Sequence, residues 1–344
     1  MRRALLAAGA AAITALAAGC SSSAASSGSG SSSGSGSAHI TLRLGFLANI
    51  THAPALVALN KGFFTTDLGP NVTLKTQVFS SGTEETTAIL AGQLDAAYVG
   101  PNPAINAWQK SSGKAIKIIS GAASGGASLV VKKNITSVSQ LKGQSLATPS
   151  LGNTQDVALR YWLKQQGLTT SATGGGDVSI KPTTPNSAAV LEFQSGQIAG
   201  ASEPAPYDIE MVNDGGKVLL SEPGVTTVLM VTQTFLAAHP AIVADLLKAN
   251  LEALGYIKSD PSGAEAAANS ELASYTGKAL KSSLVAASFK EITFTDDPDA
   301  ASLTTDAQQA TSIGLLAQVN LSGIFDLGPL NALLTAADEP TVSS

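Results

Sequence analysis

The sequence predicts an α/β fold built as two lobes, each with a parallel or mixed sheet covered by helices on both faces. Segments of strand type alternate with segments of helix type from residue 40 to residue 232. This alternation is typical of sheets whose strands are connected by helices. It falls into two runs, and a series of helices follows the second run. We therefore expect two lobes, with the last part of the chain returning to cover the first lobe.

The first run combines β-branched alternation with helices that end at glycine. Residues 72–79, Val-Thr-Leu-Lys-Thr-Gln-Val-Phe, have the period of two that a strand requires. Gly62 and Gly92 follow apolar helical segments and suit the left-handed position after a helix. The predicted strands are 40–47, 72–79, 95–99 and 116–120, and the predicted helices are 53–61, 83–91 and 104–109.

The second run repeats the pattern, and then the chain becomes helical. Its predicted strands are 129–132, 145–148, 178–181, 198–202 and 217–220, and its predicted helices are 138–141, 154–166, 187–195 and 207–214. A strand at 228–232 precedes predicted helices at 240–259, 264–274, 280–290 and 303–317. We find no internal repeat.

The first 38 residues predict export and anchoring. Residues 1–19 have a positive start, an apolar stretch and small residues before Cys20, as in a lipoprotein signal peptide. The usual Leu three positions before the cysteine is replaced by Ala17, so an ordinary secretory signal is the alternative. Residues 21–38 are only Ser, Gly and Ala, which predicts a flexible tether over 20–38. We expect the mature chain to be lipidated at Cys20 and held at the outer face of the cell membrane.

Composition excludes several classes of function. The 344 residues carry a formal net charge of −5, which disfavours a nucleic-acid-binding protein. One cysteine and three histidines disfavour a protein-only metal site. A Gly-x-Ser-x-Gly occurs only within the Ser/Gly tether, at residues 30–34, where composition alone produces it. From residue 39 onward there is no Gly-x-Ser-x-Gly, no P-loop and no Gly-x-Gly-x-x-Gly after a strand, so no catalytic residue and no cofactor is predicted.

Four loops at predicted strand ends are candidates for binding. Ser81-Gly82-Thr83 and Asn153-Thr154-Gln155 each run into a helix, where they serve as caps or bind an anion at the helix N-terminus. Glu203 either pairs with a ligand amine or caps the following helix. His52 either donates to a ligand or packs at the start of a helix.

Four segments of the chain resemble the substrate-binding proteins of ABC importers, in the nitrate, sulfonate and taurine group related to the binders of thiamine-precursor pyrimidines. They are His52-Ala-Pro-Ala-Leu-Val-Ala-Leu-Asn-Lys-Gly-Phe-Phe64, Ala91-Gly-Gln-Leu-Asp-Ala-Ala-Tyr-Val-Gly100, Leu151-Gly-Asn-Thr-Gln155 and Glu203-Pro204. The helix from Phe235 to Pro240 is also placed as in this group. The resemblance covers about residues 40–335.

The resemblance implies a periplasmic-binding-protein fold of type II, with two Rossmann-like lobes, two crossover connections and a cleft between the lobes. Lobe one is expected at 39–127 plus 229–344, and lobe two at 128–228. The implied ligand-binding residues are Asn49, His52, Ser81, Gly82, Thr83, Pro101, Asn102, Asn153, Thr154, Gln155 and Glu203. The implied partners are a small-molecule solute and an ABC permease with its ATPase, and the chain is expected to be a monomer that performs no chemistry.

The ligand expected is a small anion or zwitterion. The predicted loops contain no Lys or Arg, so an anion would be held by N–H groups and helix dipoles. A taurine-like aliphatic sulfonate would place its amine near Glu203, whereas nitrate or bicarbonate would leave that carboxylate unpaired. The alternatives are a binder of a thiamine-precursor pyrimidine or another heterocycle, a sensor for a membrane kinase, an enzyme on the same fold, and a structural surface lipoprotein.

Overall fold

The computed structural model describes residues 39–344, which contain two sheets and thirteen α-helices. The predicted signal peptide, Cys20 and the predicted tether lie outside the described residues. Among the residues described, no helix is both long and apolar enough to cross a membrane.

The first sheet has six strands in the order β11-β4-β10-β3-β1-β2. Strand β1 pairs in parallel with β2 and β3, whereas β10 is antiparallel to both β3 and β4. Apolar clusters cover the sheet on both faces, which explains the nearly continuous apolar runs of its central strands. The strands are β1 (Ile40–Leu47), β2 (Val72–Phe79), β3 (Ala96–Val99), β4 (Ile116–Gly125), β10 (Val225–Thr232) and β11 (Ile292–Phe294).

The second sheet has five strands in the order β7-β6-β8-β5-β9. Strand β6 is parallel to both β7 and β8, and β5 lies antiparallel between β8 and β9. Separate apolar clusters bury its two faces. The strands are β5 (Ala127–Lys132), β6 (Ser145–Thr148), β7 (Ser179–Pro182), β8 (Gly200–Pro204) and β9 (Gly216–Ser221).

The helices connect these strands and then cover the first sheet. Short 3₁₀ turns at Ile50–His52 and Val138–Leu141 add to them. The α-helices are α1 (Ala53–Lys61), α2 (Phe63–Leu68), α3 (Gly82–Leu90), α4 (Pro101–Lys110), α5 (Thr154–Gln165), α6 (Asn186–Ser195), α7 (Tyr207–Asn213), α8 (Gln233–Ala238), α9 (Pro240–Ser259), α10 (Pro261–Thr276), α11 (Ser282–Lys290), α12 (Ala300–Ser312) and α13 (Gly328–Ala336).

The chain passes between the sheets twice, from β4 to β5 and from β9 to β10. Gly126 makes the first crossover with a φ of +72°, and a Cβ there would lie 2.3 Å from Ile292 Cγ1. Only glycine fits this position without strain. The Gly125 N–H donates to the Gly224 carbonyl at 2.9 Å, so the two crossovers are bonded to each other. The proposed lobe limits at residues 127 and 229 remain predictions.

The structure corrects several predicted elements. Strand β4 extends to Gly125 instead of ending at residue 120, and β10 begins at Val225 instead of 228. The predicted helix at 303–317 begins at Ala300 and ends at Ser312. Helices α2 and α13 and the three-residue strand β11 were not predicted. Strand β11 is too short for its alternation to be recognised, and it forms by pairing with the extended end of β4.

Candidate ligand-binding cleft

A small cavity of about 30 Å³, lined mostly by polar residues, lies where strand ends of the two sheets meet. The first sheet supplies the residues that follow β1, β2 and β3, and the second supplies those that follow β6, β7 and β8. Ligands of open α/β sheets bind at such carboxyl ends. The polar lining residues are Asn49, Thr51, His52, Ser80, Ser81, Asn153, Thr154, Gln155, Asn186 and Thr226.

Helix α3 begins at the cavity and is capped from within the chain. Ser81 is its N-cap, and the Ser81 hydroxyl oxygen accepts from the Glu84 N–H at 3.3 Å. The Glu84 carboxylate accepts from the Ser80 N–H at 3.3 Å. These bonds use the acceptor side of Ser81 and leave its O–H able to donate. The helix also directs the positive end of its dipole towards the cavity.

Helix α5 begins at the opposite side of the cavity. Asn153 Oδ1 accepts from the Asp156 N–H at 2.9 Å, and Asn153 Nδ2 donates to Gln155 Oε1 at 2.8 Å. The side-chain oxygen Oε1 of Gln155 is therefore occupied, and its side-chain nitrogen Nε2 has no partner among residues 39–344. The Thr154 hydroxyl is buried and also lacks a partner there. Two potential donors thus remain at this helix start.

The segment after β1 adds two further donors. Asn49 Oδ1 accepts from both the N–H and the hydroxyl of Thr51, at 3.0 and 2.7 Å, which leaves the Asn49 amide nitrogen to donate. His52 Nδ1 accepts from the Leu47 N–H at 3.3 Å, so the proton lies on Nε2. Burial lowers the pKa of His52 to about 3 and keeps the imidazole neutral.

The hydrogen bonds within the protein therefore use the acceptor atoms of these side chains and leave mainly donors for a ligand. No Lys or Arg lines the cavity. Among residues 39–344, no three His, Cys, Asp or Glu side chains are placed to share a metal ion. A cavity of neutral donors at two helix N-termini is suited to the oxygen atoms of an anion, which it can hold without a formal positive charge.

Glu203 lies beside the cavity, behind Asn186. Its Oε2 accepts from Asn186 Nδ2 at 2.6 Å, and its Oε1 has no partner among the described residues. Burial raises the pKa of Glu203 well above its usual value, and the charges of Asp208 and Glu222 add to the rise. This carboxyl group lies on β8 of the second sheet, and Asn186 stands between it and the cavity.

The structure brings seven of the predicted residues to the cavity. These are Asn49, His52, Ser81, Gly82, Asn153, Thr154 and Gln155.

Four predicted residues do not line the cavity. Thr83 lies at the rim. Its hydroxyl is 3.0 Å from the hydroxyl of Ser150, which follows β6 of the second sheet. Pro101 and Asn102 lie in the first turn of α4, and Asn102 Nδ2 donates to the Asp306 carbonyl of α12 at 3.4 Å. Glu203 reaches the cavity only through Asn186.

Asn186 is the principal lining residue that the sequence did not indicate. It is the first residue of α6, whereas the predicted helix started at residue 187 and the loop after β7 was not singled out. The same position, a helix start after a strand end, had identified Ser81 and Asn153, so that signal could have found Asn186 as well. Thr51, Ser80 and Thr226 were also missed.

The cavity is surrounded by contacts between segments that follow strands of the first sheet and segments that follow strands of the second. The Thr83–Ser150 pair closes the rim, and the Tyr207 hydroxyl donates to the Ala48 carbonyl at 3.2 Å. The Ile50 N–H donates to the Ala205 carbonyl at 3.0 Å. A two-sheet α/β fold with two crossovers and a polar cleft at the facing strand ends is the architecture of the type II periplasmic binding proteins.

The chain belongs to the NMT1-like family, whose model matches residues 36–273. It is also 27% identical over 164 residues to a putative binding protein of Brucella abortus. That match covers 47% of each chain, so this chain spans about half the length of the curated relative.

Two of the solved structures that share this fold are named for the solute they bind. The alkanesulfonate-binding protein SsuA of Xanthomonas axonopodis pv. citri bound to MOPS superposes with a TM-score of 0.70 and 16% identity, over 84% of this chain and 98% of its own. The periplasmic nitrate-binding protein NrtA of Synechocystis PCC 6803 gives a TM-score of 0.73 and 17% identity, over 87% and 89%. At these identities the likeness shows the fold.

Proposed function

We propose that this protein is the extracytoplasmic solute-binding component of an ABC importer and captures a small anionic or zwitterionic solute by lobe closure. The supporting observation is the cavity of uncharged donors between two helix N-termini, one on each side. A ligand that contacts both sides favours the closed arrangement by its difference in affinity for the two states. The closed form would then dock on a permease and its ATPase.

A taurine-like aliphatic sulfonate is the ligand that best matches both ends of the site. Its sulfonate oxygens would accept from Ser81, His52 and Gln155. Its amine would donate to the free Oε1 of Glu203, which otherwise stays buried without a partner, once Asn186 has turned away from between this carboxyl group and the cavity. Nitrate and bicarbonate fit the donor end and leave this carboxyl group unsatisfied.

The size of the cavity requires the lobes to move. Its volume of about 30 Å³ is far below the roughly 300–1,000 Å³ of ordinary ligand pockets. A sulfonate therefore needs the lobes to separate before it enters and to close less tightly around it than they do here. Separation would break the Thr83–Ser150 contact at the rim first.

The test is a thermal-shift screen of residues 38–344, the compact unit of the chain. The panel contains taurine, alkanesulfonates, nitrate, bicarbonate, thiamine-precursor pyrimidines and amino acids. A ligand at 100 times its Kd adds about 2.7 kcal/mol to the free energy of unfolding, which raises the midpoint by several degrees. A shift with a sulfonate supports the proposal. A shift only with a pyrimidine keeps a binding function and overturns the ligand class.

Glu203→Gln tests the amine end of the proposed site. We expect the unchanged chain to bind taurine more tightly than an alkanesulfonate without an amine, and the variant to lose this preference. Titration calorimetry with both solutes measures the two affinities. Glu85→Gln is the matched control, because Glu85 is also a buried acid but lies away from the cavity, between β1 and α3. An unchanged preference in the Glu203 variant would refute the role of this carboxyl group.

A further inference from the structure

Four carboxyl side chains from different elements gather around the two crossovers, and we call them the hinge carboxylates: Glu203, Asp208, Glu222 and Asp306. Glu203, Asp208 and Glu222 are buried, with exposed fractions of 0%, 1% and 9%. None of the four forms an ion pair with a basic side chain within residues 39–344. Buried acids without basic partners are costly when ionised, so their position at a hinge needs a physical account.

Glu222 lies in the second crossover, directly after β9. Its N–H donates to the Ala127 carbonyl at 3.0 Å, which ties it to the start of β5. Its Oε1 accepts from the Ser202 hydroxyl at 2.6 Å, and its buried Oε2 has no partner among the residues described. This carboxyl group is therefore held at one oxygen and unsatisfied at the other.

Asp306 approaches the same crossover from helix α12. Ser302 lies one turn earlier on that helix, and its hydroxyl accepts from the Val225 N–H at 3.1 Å. Residues four apart share a helix face, so Asp306 lies on the face that packs against the crossover. Asp306 Oδ2 is buried and lacks a partner among the described residues.

The Glu222–Asp306 pair spans the boundary between the lobes. Glu222 directly follows the last strand of the second sheet, whereas α12 packs its buried Leu303, Ala307 and Ala310 into a core cluster formed mainly by the first sheet and its helices. Repulsion between two ionised carboxylates therefore acts between the sides that must approach when the cleft closes. Movement apart would admit water and relieve this repulsion.

The groups that face the hinge carboxylates are also acidic. Asp208 accepts from the Ser128 hydroxyl at 2.6 Å beside the first crossover, and Glu291 and Glu222 face it. Asp299, at the start of α12, faces Asp306. With no base among these groups and no metal-binding trio within residues 39–344, protons are the means of neutralising the cluster when no ligand amine is bound at Glu203.

We propose that closure of the cleft is linked to proton uptake by the hinge carboxylates, so that low pH favours the closed arrangement and high pH favours separation. This inference rests on the proposed function, since it concerns the same closing movement. Through Glu222 and Asp306, neither of which lines the ligand cavity, it makes the second crossover a pH-responsive element.

The direction follows from the acidities of the groups. Burial raises the pKa of Glu222 to about 7, and burial together with the charge of Glu222 raises the pKa of Asp306 to about 8. Separation exposes both groups and returns their pKa values towards the ordinary range below 5. The closed state thus holds more protons, and its population falls as pH rises between about 5 and 8. The closed-to-open ratio changes by up to about tenfold per pH unit for one linked proton.

The experiment measures lobe separation without any ligand. Spin labels are attached to cysteines at Leu90 on α3 and Leu191 on α6, two exposed positions on opposite lobes, in the full chain with Cys20→Ser. Pulsed electron spin resonance gives the distance distribution at a series of pH values from 5.5 to 8.5. We expect the fraction of short distances to fall as pH rises.

In the variants Glu222→Gln and Asp306→Asn, the fraction of short distances should stay largely constant across this pH range. Glu85→Gln, a buried acid within the first lobe, should retain the pH response of the unchanged chain. A distance distribution that does not vary with pH would overturn the inference, and so would a full response in both hinge variants. If no solute of the panel shifts the unfolding midpoint, that result counts against the proposed function. The distances between the spin labels still test the proton linkage, because they are measured without ligand.

Discussion

At the scale of the residue, Glu85 shows how a single buried acid makes stability depend on pH. It lies on α3 with both carboxyl oxygens buried and without partners among residues 39–344. Burial raises the pKa of Glu85 well above its usual value. The folded chain therefore holds this proton more tightly than the unfolded chain does, and its stability falls as pH rises above about 4.5.

Glu85→Gln should remove this dependence. Urea unfolding at pH 5.0 and 7.5 should show the unchanged chain losing up to about 1.4 kcal/mol per pH unit through this group, and the variant losing less. Glu252→Gln, at an exposed position on α9, should behave as the unchanged chain does. Equal losses in the Glu85 variant and the unchanged chain would show that this carboxyl group does not control the effect.

His52 provides a residue-scale test of the donor site. Its pKa of about 3, lowered by burial, keeps it neutral above pH 5, so its contribution to ligand affinity should be constant from pH 5 to 8. His52→Phe removes the Nε2–H donor and should weaken binding of an anionic solute by roughly 10- to 150-fold, the value of one hydrogen bond to a charged group. Calorimetry with the panel's ligand measures this, and His239→Gln, directly after α8 and outside the cavity lining, should leave the affinity unchanged.

Residues at the site were predictable where a strand end was recognised and a helix start followed it. Ser81 and Asn153 met both conditions. Asn102 did not reach the cavity because its amide is bonded to α12, a contact across more than two hundred residues that no local pattern contains. The donor character of the cleft was likewise unpredictable, because it depends on which atoms of Asn49, His52 and Gln155 are used inside the protein.

At the scale of the element, helix α5 and the loop before it are held by one carboxylate. Asp156 accepts from the Thr148 hydroxyl, the Gly152 N–H and Arg160 Nε, each at 2.9 Å. Arg160 is 2% exposed and also donates to the Ser171 carbonyl at 2.8 Å. A buried pair with these bonds fixes the loop that presents the α5 residues to the cavity.

Removing both members of this pair should cost less than the two single removals added together. Asp156→Ala leaves the Arg160 charge buried and should lower the free energy of unfolding by about 3–5 kcal/mol. The double change Asp156→Ala with Arg160→Met should cost clearly less than the sum of the two single changes. Urea unfolding of the four chains completes the double-mutant cycle, and additive losses would contradict the coupling.

Elements were predictable where their own pattern defined them. Strand β2 and helix α9 have the predicted limits, since each has a strong period and a clear boundary. Strand β4 continues past its predicted end through Gly121, Ala122 and Ala123, small residues with weak strand preference. Pairing with β10 on one side and β11 on the other makes them a strand.

At the scale of the whole molecule, the rim contact offers a direct control of closure. The hydroxyl oxygens of Thr83 and Ser150 are 3.0 Å apart across the cleft, so these positions were chosen for a pair of cysteines that can cross-link the rim. In residues 38–344, which contain no other cysteine, the oxidised Thr83→Cys, Ser150→Cys chain should neither bind nor release solute. Reduction should restore exchange, as measured by calorimetry with each form.

The two single-cysteine chains are the controls for this experiment, and both should exchange solute with or without oxidant. Equal exchange by the oxidised and reduced double variant would show that the lobes need not separate at this rim. The two-lobed plan itself was predictable from the two runs of strands and helices. The contacts that hold the lobes together were not, because Thr83–Ser150 and Tyr207–Ala48 join segments distant in the chain.

The position of β10 in the middle of the first sheet has a consequence for how the protein is made. All five strands of the second sheet come from one continuous stretch, residues 127–221, whereas β10 is synthesised after them and inserts between β3 and β4. The second sheet is therefore complete while the first still lacks its central strand. During vectorial folding the later lobe can acquire its core first, and the sheet of the earlier lobe is complete only when β11 has been made, at residue 294.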